Sequence, residues 1–471
     1  MATNKKTRTE KDFLGDILVP SDSYYGSHTA RAKANFNISG ITAPNAFRKA
    51  LCLIKLAAAK TNAQLKLLDG KAEKAIVMAC EEFMDGKFDK EFTVDVFQAG
   101  AGTSYNMNIN EILANRANEL LGGRKGEYKP VHPNNHVNMS QSSNDVTPTA
   151  TRLAILLILP ALIKELKELE NVIGKKQKQY SKVLKVGRTH LQDAVPITVG
   201  QELDSYRQAL EKSRLFIEER SKDLKILGIG GTAVGTGITA DPDYKKVMIN
   251  NLKKLTGINF VKTKNATETA NNMNSFVNFS ATLRSLSINL LNISEDLKIM
   301  NMGPKAGLNE INLPPAQPGS SIMPGKVNPS VLECVDMIAV QVMGNDKVIE
   351  LSAQKSHFEL NVMCPIIMHN ILQSLEILTN GLSLLRTKCL AELEYDTKTI
   401  KNLFENSLVI ATALVPYIGY ELTADIVKSA LKKNIRVKEE LASRKIFTSQ
   451  EIEKIFSLEA ITNPVKIKKS R

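Results

Sequence analysis

Helical repeats of apolar residues dominate the middle of the chain. Between residues 148 and 393, apolar positions recur every three or four residues over long stretches, which predicts five long helices. They are predicted at about 148–184, from after Pro196 to 227, and at 266–300, 329–351 and 361–393. Shorter helical patterns cover 44–67, 71–84 and 106–121, and small helices follow from about Asp396. Strand signals are few, so the pattern predicts a mostly α-helical protein.

Some of these helices are apolar on more than one side, as the stretch 153–163 shows. Such a helix must be buried on several sides, and a five-helix bundle within one chain would leave part of this surface in water. We therefore expect a central bundle of five long helices that subunits share. The expected domains are a mixed, mainly helical one at 1–143, the bundle at 144–397, and a small helical one at 398–471.

Charge and cysteine usage narrow the class of protein. The 471 residues carry a formal charge of +13, but acidic residues interleave with the lysines, so we expect a solvated surface and no nucleic-acid partner. The stretch 153–163 is too short to span a bilayer, and the N-terminal segment lacks the apolar region of a secretory signal. Five scattered cysteines without a Cys-x-x-Cys pair indicate free thiols. We expect a cytoplasmic protein without a membrane partner.

Cofactor motifs do not occur in the sequence. The six histidines form no His-Glu-x-x-His motif, and no Cys/His grouping has zinc spacing. The segment 228–237, GIGGTAVGTG, matches a dinucleotide fingerprint superficially, but a charged helical pattern precedes it where a buried strand is required. We predict a tight turn between antiparallel helices there. No metal or organic cofactor is expected to be required, and activation by a divalent metal ion is left open.

Polar chemistry concentrates in a loop at 319–329, GSSIMPGKVNP. Its glycines let main-chain N–H groups approach a bound group, Ser320 and Ser321 supply hydroxyls, Lys326 supplies a positive charge, and Asn328 supplies a donor and an acceptor. Such a loop suits a small carboxylate and can close over it as a lid. Three other polar stretches precede or begin predicted helices, where N–H groups favour anions: Thr103–Asn106, 142–144 and Thr189–His190.

The loop GSSIMPGKVNP resembles the signature of the fumarase/aspartase superfamily, lyases that release fumarate by elimination. The segments FLGDILVPSDSYYGSHTARAKANF, GAGTSYNMN and GRTHLQDAVP strengthen the resemblance, which extends from Phe13 to Pro464. It implies a three-domain fold with the five-helix bundle shared in a homotetramer, active sites built from three subunits, and a small dicarboxylate substrate.

The resemblance also implies roles for single residues. Ser320 would be the general base, and His190 would lie beside the leaving group with Glu333 as its charge partner. One carboxylate would be held by Thr103, Ser142, Ser143 and the N–H of Ser321. The other would pair with Lys326, Asn328 and Thr189, and Asn144 would help to bind the leaving amine.

The prediction of which substrate the protein uses depends on shorter segments that differ between members of the superfamily. GAGTSYNMN, KGEY, GRTHLQDAVP, AGLNEINLP and FTSQEIEKIF resemble the members that release ammonia from L-aspartate, whereas VHPNNHVN and SSND resemble class II fumarases. We predict a carbon–nitrogen lyase that deaminates L-aspartate, with L-malate dehydration as the alternative. A non-catalytic structural or nucleic-acid-binding protein is a third interpretation, which the complete set of polar site residues disfavours.

Overall fold

The structure is a computed structural model that describes residues 6–464 and 466. Residues 1–5 of the segment examined for a secretory signal, and residues 465 and 467–471 of the predicted C-terminal domain, lie outside it. The α-helices in chain order are α1 (Ser27–Asn35), α2 (Asn45–Gln64), α3 (Gly70–Met84), α4 (Thr103–Leu120), α5 (Ser143–Gln179), α6 (Val199–Arg220), α7 (Tyr244–Thr256), α8 (Ala266–Asn271), α9 (Asn274–Met300), α10 (Ser330–Ala353), α11 (Cys364–Leu385), α12 (Thr397–Asn406), α13 (Val415–Lys433), α14 (Val437–Ser443), α15 (Ser449–Ile455) and α16 (Leu458–Thr462).

The strands are short and occur in pairs. In chain order they are β1 (Thr7–Asp12), β2 (Gly15–Pro20), β3 (Leu184–Thr189), β4 (Gln192–Thr198), β5 (Ile226–Leu227), β6 (Val261–Lys262), β7 (Ile311–Asn312), β8 (Ser356–His357), β9 (Leu360–Asn361) and β10 (Glu394–Tyr395). The pairs β1–β2, β3–β4, β7–β10 and β8–β9 are antiparallel, and β5–β6 is parallel. The predicted mostly α-helical fold is confirmed.

The five predicted long helices are α5, α6, α9, α10 and α11. The predicted helix at 266–300 is divided into α8 and α9, and the one predicted at 361–393 begins at Cys364 and ends at Leu385. Helix α5 begins at Ser143, five residues before the predicted start, and Asp145 lies in its first turn, where a negative charge suits the helix dipole. It also continues through Pro160, which removes one backbone hydrogen bond without ending the helix.

One hairpin was not predicted. The stretch around Thr189 and His190 was expected to precede a helix that starts after Pro196, and α6 does begin at Val199, but 184–198 itself forms the hairpin β3–β4, in which Thr189 pairs with Gln192. The two-residue turn, His190–Leu191, has positive φ at both positions, +55° and +60°. This geometry matches the twist of a two-residue hairpin, although glycine or asparagine usually supplies it. The missing turn signal explains why the sequence pattern hid the hairpin.

The described residues form two compact units. The first comprises the chain up to Ile163 with Leu215–Ser287 and Val340–Thr379, and the second comprises Lys164–Arg214, Ile288–Ala339 and the chain from Asn380. Each of the five long helices contributes one part to each unit. The units are groups of residues in space, so the predicted division at 1–143, 144–397 and 398–471 stays a prediction.

Polar contacts join the long helices within each unit. In the first unit, Ser280 and Arg284 of α9 both donate to Asp346 of α10, at 2.7 Å each. In the second unit, Arg214 of α6 pairs with Glu170 of α5 at 2.8 Å, and Lys298 of α9 pairs with Asp336 of α10 at 2.6 Å. These contacts fix the rotation of neighbouring helices about their axes.

The C-terminal helices pack against the β3–β4 hairpin within the second unit. Val186 of β3 belongs to a buried apolar cluster with Phe404 of α12, Ile426 of α13 and Leu441 of α14; further members are Val409, Ile410, Ala411, Leu414, Val437, Ile455 and Phe456. Burial of these apolar side chains stabilises the part of the hairpin that contains Val186. Its tip, with Thr189 and His190, is exposed.

Two segments have the length and composition of a membrane span. They are α5 and the stretch Val409–Lys433, although the longest apolar stretch in the sequence had predicted none. Core helices of soluble proteins pass the same test, and 72% of the apolar window of α5 is buried within the protein. The second segment is interrupted at Gly419, whose backbone is not helical.

Candidate active site

Thr103 is placed by a sharp turn at the start of α4. Gly102 precedes it with φ +73°, a left-handed conformation that glycine adopts without strain. A Cβ at Gly102 would lie 2.6 Å from Thr147 Cγ2 of α5, so the two helix ends approach too closely for any larger residue. The sequence GAGTS therefore brings the first turn of α4 against α5.

The hydroxyls of Thr103 and Ser143 meet at this contact. Their Oγ1 and Oγ atoms lie 2.9 Å apart, although 40 positions separate them in the chain. Ser142 precedes α5, and its Oγ accepts the N–H of Asn144 at 3.2 Å, as a helix-capping hydroxyl does. Two helix N-termini thus present hydroxyls and N–H groups to one region. Such an arrangement attracts a carboxylate.

Asn144 points from α5 towards the glycine-rich segment. Its Nδ2 donates to Ala233 O at 2.8 Å, which leaves the amide oxygen near Ser143 Oγ at 3.4 Å. Thr103, Ser142, Ser143 and Asn144 therefore lie together within one chain, all in the first unit, and their role in binding a substrate stays a prediction. A cavity of about 620 Å³ is lined by Thr103, so this member of the group is accessible to a small molecule.

Asp145 secures the glycine-rich segment that resembled a dinucleotide fingerprint. Its carboxylate accepts N–H groups of Ser142, Gly230 and Thr232, at 3.0, 2.9 and 2.9 Å. The segment follows the two-residue strand β5 and leads to α7, so the turn that was predicted between antiparallel helices lies between a strand and a helix. Because Asp145 occupies two of its N–H groups, the segment does not offer them to a phosphate. Burial raises the pKa of Asp145 to about 6, against the opposing effect of these N–H groups.

Lys55 contacts residues that neighbour Thr103 and Ser142 in the chain, and sequence reasoning missed it. It is fully buried in α2, and its Nζ donates to Asn106 Oδ1, Gln141 Oε1 and Asn138 Oδ1, at 2.7, 2.9 and 3.1 Å. A signal was available. Lys55 is the single charge between Leu51 and Ala59 in an apolar helical stretch, where no surface position is expected.

Thr189 and His190 lie at the exposed tip of the β3–β4 hairpin, in the second unit. His190 has a left-handed backbone conformation, which is uncommon for a residue with a side chain and is often found at functional sites. Neither side chain has a hydrogen bond or ion pair with the rest of the described residues. Both are therefore available to a ligand.

A buried charge cluster holds the hairpin next to His190. Arg188 of β3 pairs with Glu310 at 2.9 Å, and Lys185 of the same strand pairs with Glu310 at 3.2 Å and with Glu202 at 2.6 Å. Within the described residues, the Glu310 oxygens receive no well-aligned hydrogen bond, so their attraction to both cations is chiefly coulombic. Burial raises the pKa of Glu202. Sequence reasoning also missed this cluster, since the partners of its ion pairs are 17 to 125 positions apart.

The loop 319–328 is exposed and closed upon itself. Gly319 N–H donates to Lys326 O at 2.8 Å, and Asn328 Nδ2 donates to Gly319 O at 2.9 Å. Ser320 Oγ accepts the N–H groups of Ile322 and Met323, at 3.2 and 3.0 Å. Ser320 and Lys326 line a cavity of about 530 Å³. The predicted base and the predicted carboxylate-binding cation thus face the same space.

Ser321 and Glu333 are exposed, Ser321 within this loop and Glu333 after it. Ser321 follows Ser320 in the loop, and Glu333 lies in the first turn of α10. Glu333 forms no ion pair with His190 within the part of the chain that the structure describes, so the predicted partnership is not made within one chain. That partnership, and the meeting of the three groups of residues in one site, stay predictions.

Comparison with known proteins covers the chain almost end to end. Residues 15–344 match the protein family described as Lyase, and residues 410–463 match the one described as Fumarase C C-terminus. Aspartate ammonia-lyase of Bacillus subtilis (strain 168) is 41% identical over 460 residues, which are 98% of this chain and 97% of that protein. Fumarate hydratase class II of Brucella suis biovar 1 (strain 1330) is 41% identical over 459 residues, which are 97% of this chain and 99% of that protein.

Solved structures agree in fold. Recombinant class II fumarase from Schistosoma mansoni superposes with a TM-score of 0.93 at 36% identity, covering 96% of this chain and 98% of that one. Relatives at equal identity carry two different activities, so similarity over the whole chain does not choose between them.

Proposed function

Because the chain belongs to the fumarase/aspartase superfamily of lyases, we propose that it converts L-aspartate into fumarate and ammonia. The observation that carries the proposal is the meeting of two helix N-termini at Thr103 and Ser143, with hydroxyl oxygens 2.9 Å apart. These donors suit a carboxylate that gains negative charge during the reaction.

The proposed reaction begins with loss of the proton on the carbon next to one carboxylate. Ser320 Oγ takes this proton, and the electron pair of the C–H bond moves onto the carboxylate to give an aci-carboxylate. Thr103, Ser142, Ser143 and the N–H of Ser321 hold that group. Each preorganised donor of this kind is worth about 3–4 kcal/mol in the transition state.

Ser320 requires an environment that stabilises its oxyanion, because a free serine hydroxyl is a weak base. The N–H groups of Ile322 and Met323 already point at its Oγ, at 3.2 and 3.0 Å. Lys326, in the same loop, adds a positive charge and lines the same cavity. These contacts support Ser320 as the general base.

In the second step the aci-carboxylate collapses, the carbon–carbon double bond forms and the carbon–nitrogen bond breaks. Lys326, Asn328 and Thr189 hold the other carboxylate. Asn144 and His190 bind the amine, which leaves as ammonia or as ammonium when it is already protonated. Every step uses side chains and backbone groups of the chain, so we infer that no metal or organic cofactor is required and that a divalent metal ion would act only as an activator.

We further infer that the active sites form between subunits of a homotetramer. Apolar side chains on α10 support this, since Met337 is 71% and Val340 60% exposed in the single chain, and Val348 and Leu351 continue the stripe. These positions follow one another at helical spacing on one face. Helices of other subunits would bury that face.

Dehydration of L-malate is the second candidate. The 41% identity to a class II fumarate hydratase favours it as strongly as the equal identity to an aspartate ammonia-lyase favours deamination. The same residues would perform it, with hydroxide in place of ammonia as the leaving group and His190 beside it. The choice therefore rests on experiment.

The test follows fumarate by its ultraviolet absorbance, with L-aspartate in one cuvette and L-malate in the other. Gain of fumarate from L-aspartate alone supports the proposal, and gain from L-malate alone supports the second candidate. Ser320→Ala should lower the active reaction by about 10²- to 10⁴-fold, the contribution of a general base. Ser321→Ala is the matched control, because it keeps the backbone N–H in the same loop, and its loss should stay below about tenfold. Equal losses would contradict the role of Ser320.

A further inference from the structure

Lys55 is bound in a way that requires its charge. Its Nζ has three contacts within hydrogen-bonding distance, and all of them are amide oxygens, those of Asn106, Asn138 and Gln141. An ammonium group has three N–H donors and satisfies all three oxygens. A neutral amine has two donors and a lone pair, which would face one of the oxygens.

The orientation of the three amides is fixed by their other contacts. Asn106 Nδ2 donates to Asn138 Oδ1 at 3.0 Å, and Asn138 Nδ2 donates to Gln141 O at 3.2 Å. Gln141 Nε2 donates to the carbonyl oxygens of Val137 and Met139, at 3.0 and 3.1 Å. Each amide nitrogen therefore already has an acceptor, and each amide oxygen is turned towards Lys55.

These partners belong to the two segments that carry the candidate carboxylate site. Asn106 lies one turn after Thr103 on α4, and Gln141 directly precedes Ser142. The buried ammonium thus ties the start of α4 to the residues before α5, and the partly buried hydroxyls of Thr103 and Ser143 meet at the same junction, 2.9 Å apart. The charge of Asp145 also acts on Lys55, although the Asp145 carboxylate is directed to N–H groups of Ser142, Gly230 and Thr232.

We propose that Lys55 is a positioning residue for the elimination reaction. Its ammonium fixes the distance between the two helix N-termini and places a buried positive charge behind the donors that receive the aci-carboxylate. The inference rests on the proposed function of this site. A buried charge acts more strongly than an exposed one, because little water screens it. Burial lowers the pKa of Lys55 to about 7, and the negative charge of Asp145 opposes this by favouring the charged form.

The test compares two ligands by calorimetric titration of the full-length protein. Succinate resembles the substrate, whereas the nitronate form of 3-nitropropionate carries on its oxygens a charge closer to that of the aci-carboxylate. Lys55→Met keeps the length and apolar stem of the side chain and removes the charge. We expect it to weaken nitronate binding on the order of 10²-fold, the effect of losing one such stabilising group, with a parallel loss in kcat. Succinate binding should change by less than about threefold, because it makes little use of that group.

Lys60→Met is the matched control, since Lys60 lies on the same helix and, among the described residues, forms no hydrogen bond or ion pair with this cluster. It should leave both affinities unchanged. Equal weakening of succinate and nitronate by Lys55→Met, or no weakening, would overturn the inference. If Lys55→Met does not fold, Asn106→Ala removes the α4 end of the tie and keeps the ammonium. It should weaken nitronate binding by about tenfold and leave succinate binding unchanged, as expected for one lost hydrogen bond to a charged group.

Calorimetry separates this inference from the proposed function. A wild-type protein that binds neither ligand and releases no fumarate contradicts the proposed function itself, and the role of Lys55 with it. A wild-type protein that binds both ligands and shows the same ratio of affinities after Lys55→Met and Asn106→Ala contradicts only the role of Lys55.

Discussion

Gly102 and Gly122 flank the same helix, α4. Alanine variants at these two positions test whether the close approach of α4 to α5 sets the geometry of the site. Both have a left-handed backbone conformation, with φ of +73° and +83°. They differ in the space around them. A Cβ at Gly102 would meet Thr147 Cγ2 and Oγ1 at 2.6 Å, whereas none of the described residues comes within 4 Å of a Cβ at Gly122.

Both alanine variants therefore lose stability from the left-handed backbone, and only Gly102→Ala also loses stability from steric overlap. Alanine in the left-handed conformation costs about 1–2 kcal/mol at either position. At Gly102 the added methyl group also overlaps a buried β-branched side chain with few alternative rotamers, which costs about 1–3 kcal/mol more. Gly102→Ala should thus lower the stability of the protein by about 1–3 kcal/mol more than Gly122→Ala does.

The larger effect of Gly102→Ala is expected on activity. Relief of the overlap must push α4 away from α5 and lengthen the contact between Thr103 and Ser143. A displacement of about 1 Å lowers kcat/KM by about 10²-fold, whereas Gly122→Ala, at the far end of the helix, should lower it by less than about threefold. Urea unfolding followed by circular dichroism and fumarate release measure the two effects. Equal loss of activity in both variants would refute the argument that helix contact sets the site.

Three further predictions concern charge and assembly. Glu310→Gln leaves the buried Lys185 and the partly buried Arg188 with Glu202 as the one remaining carboxylate of the cluster. It should lower the free energy of unfolding by about 3–5 kcal/mol, against less than about 1 kcal/mol for the control Glu405→Gln, whose side chain is 37% exposed; equal shifts in urea would contradict the cluster. Burial raises the pKa of Asp145 from 3.8 to about 6, so its contribution to stability is present below pH 3.8 and is lost as the pH rises through about 6. Asp145→Asn should flatten the pH dependence of unfolding in that window, and an unchanged slope would count against the assignment. Met337→Glu should give species smaller than a tetramer in analytical ultracentrifugation, whereas Tyr420→Glu, at the similarly exposed 77% position on α13, should not; a tetramer in both would contradict a shared face on α10.

The sequence by itself determined the helical character of the chain and the family of its site. Apolar spacing places five long helices, because a 3.6-residue period is a local property that survives without knowledge of neighbours. The loop GSSIMPGKVNP and the hydroxyl-bearing helix starts are also local, and each was identified from its residue types. Ser320 and Lys326 lie in one loop and line one cavity for that reason.

Only the tertiary structure decided the features that depend on residues far apart in the chain. The hairpin at 184–198 has no glycine or asparagine in its turn. Its strands are fixed by the apolar cluster that includes Val186 and by the ion pairs of Arg188 and Lys185. Lys55 was recognisable as an isolated charge, but its three partners lie 51 to 86 positions away. The contact between Thr103 and Ser143 likewise exists because a glycine at 102 lets two helices approach, and no local pattern records which helix will be the neighbour.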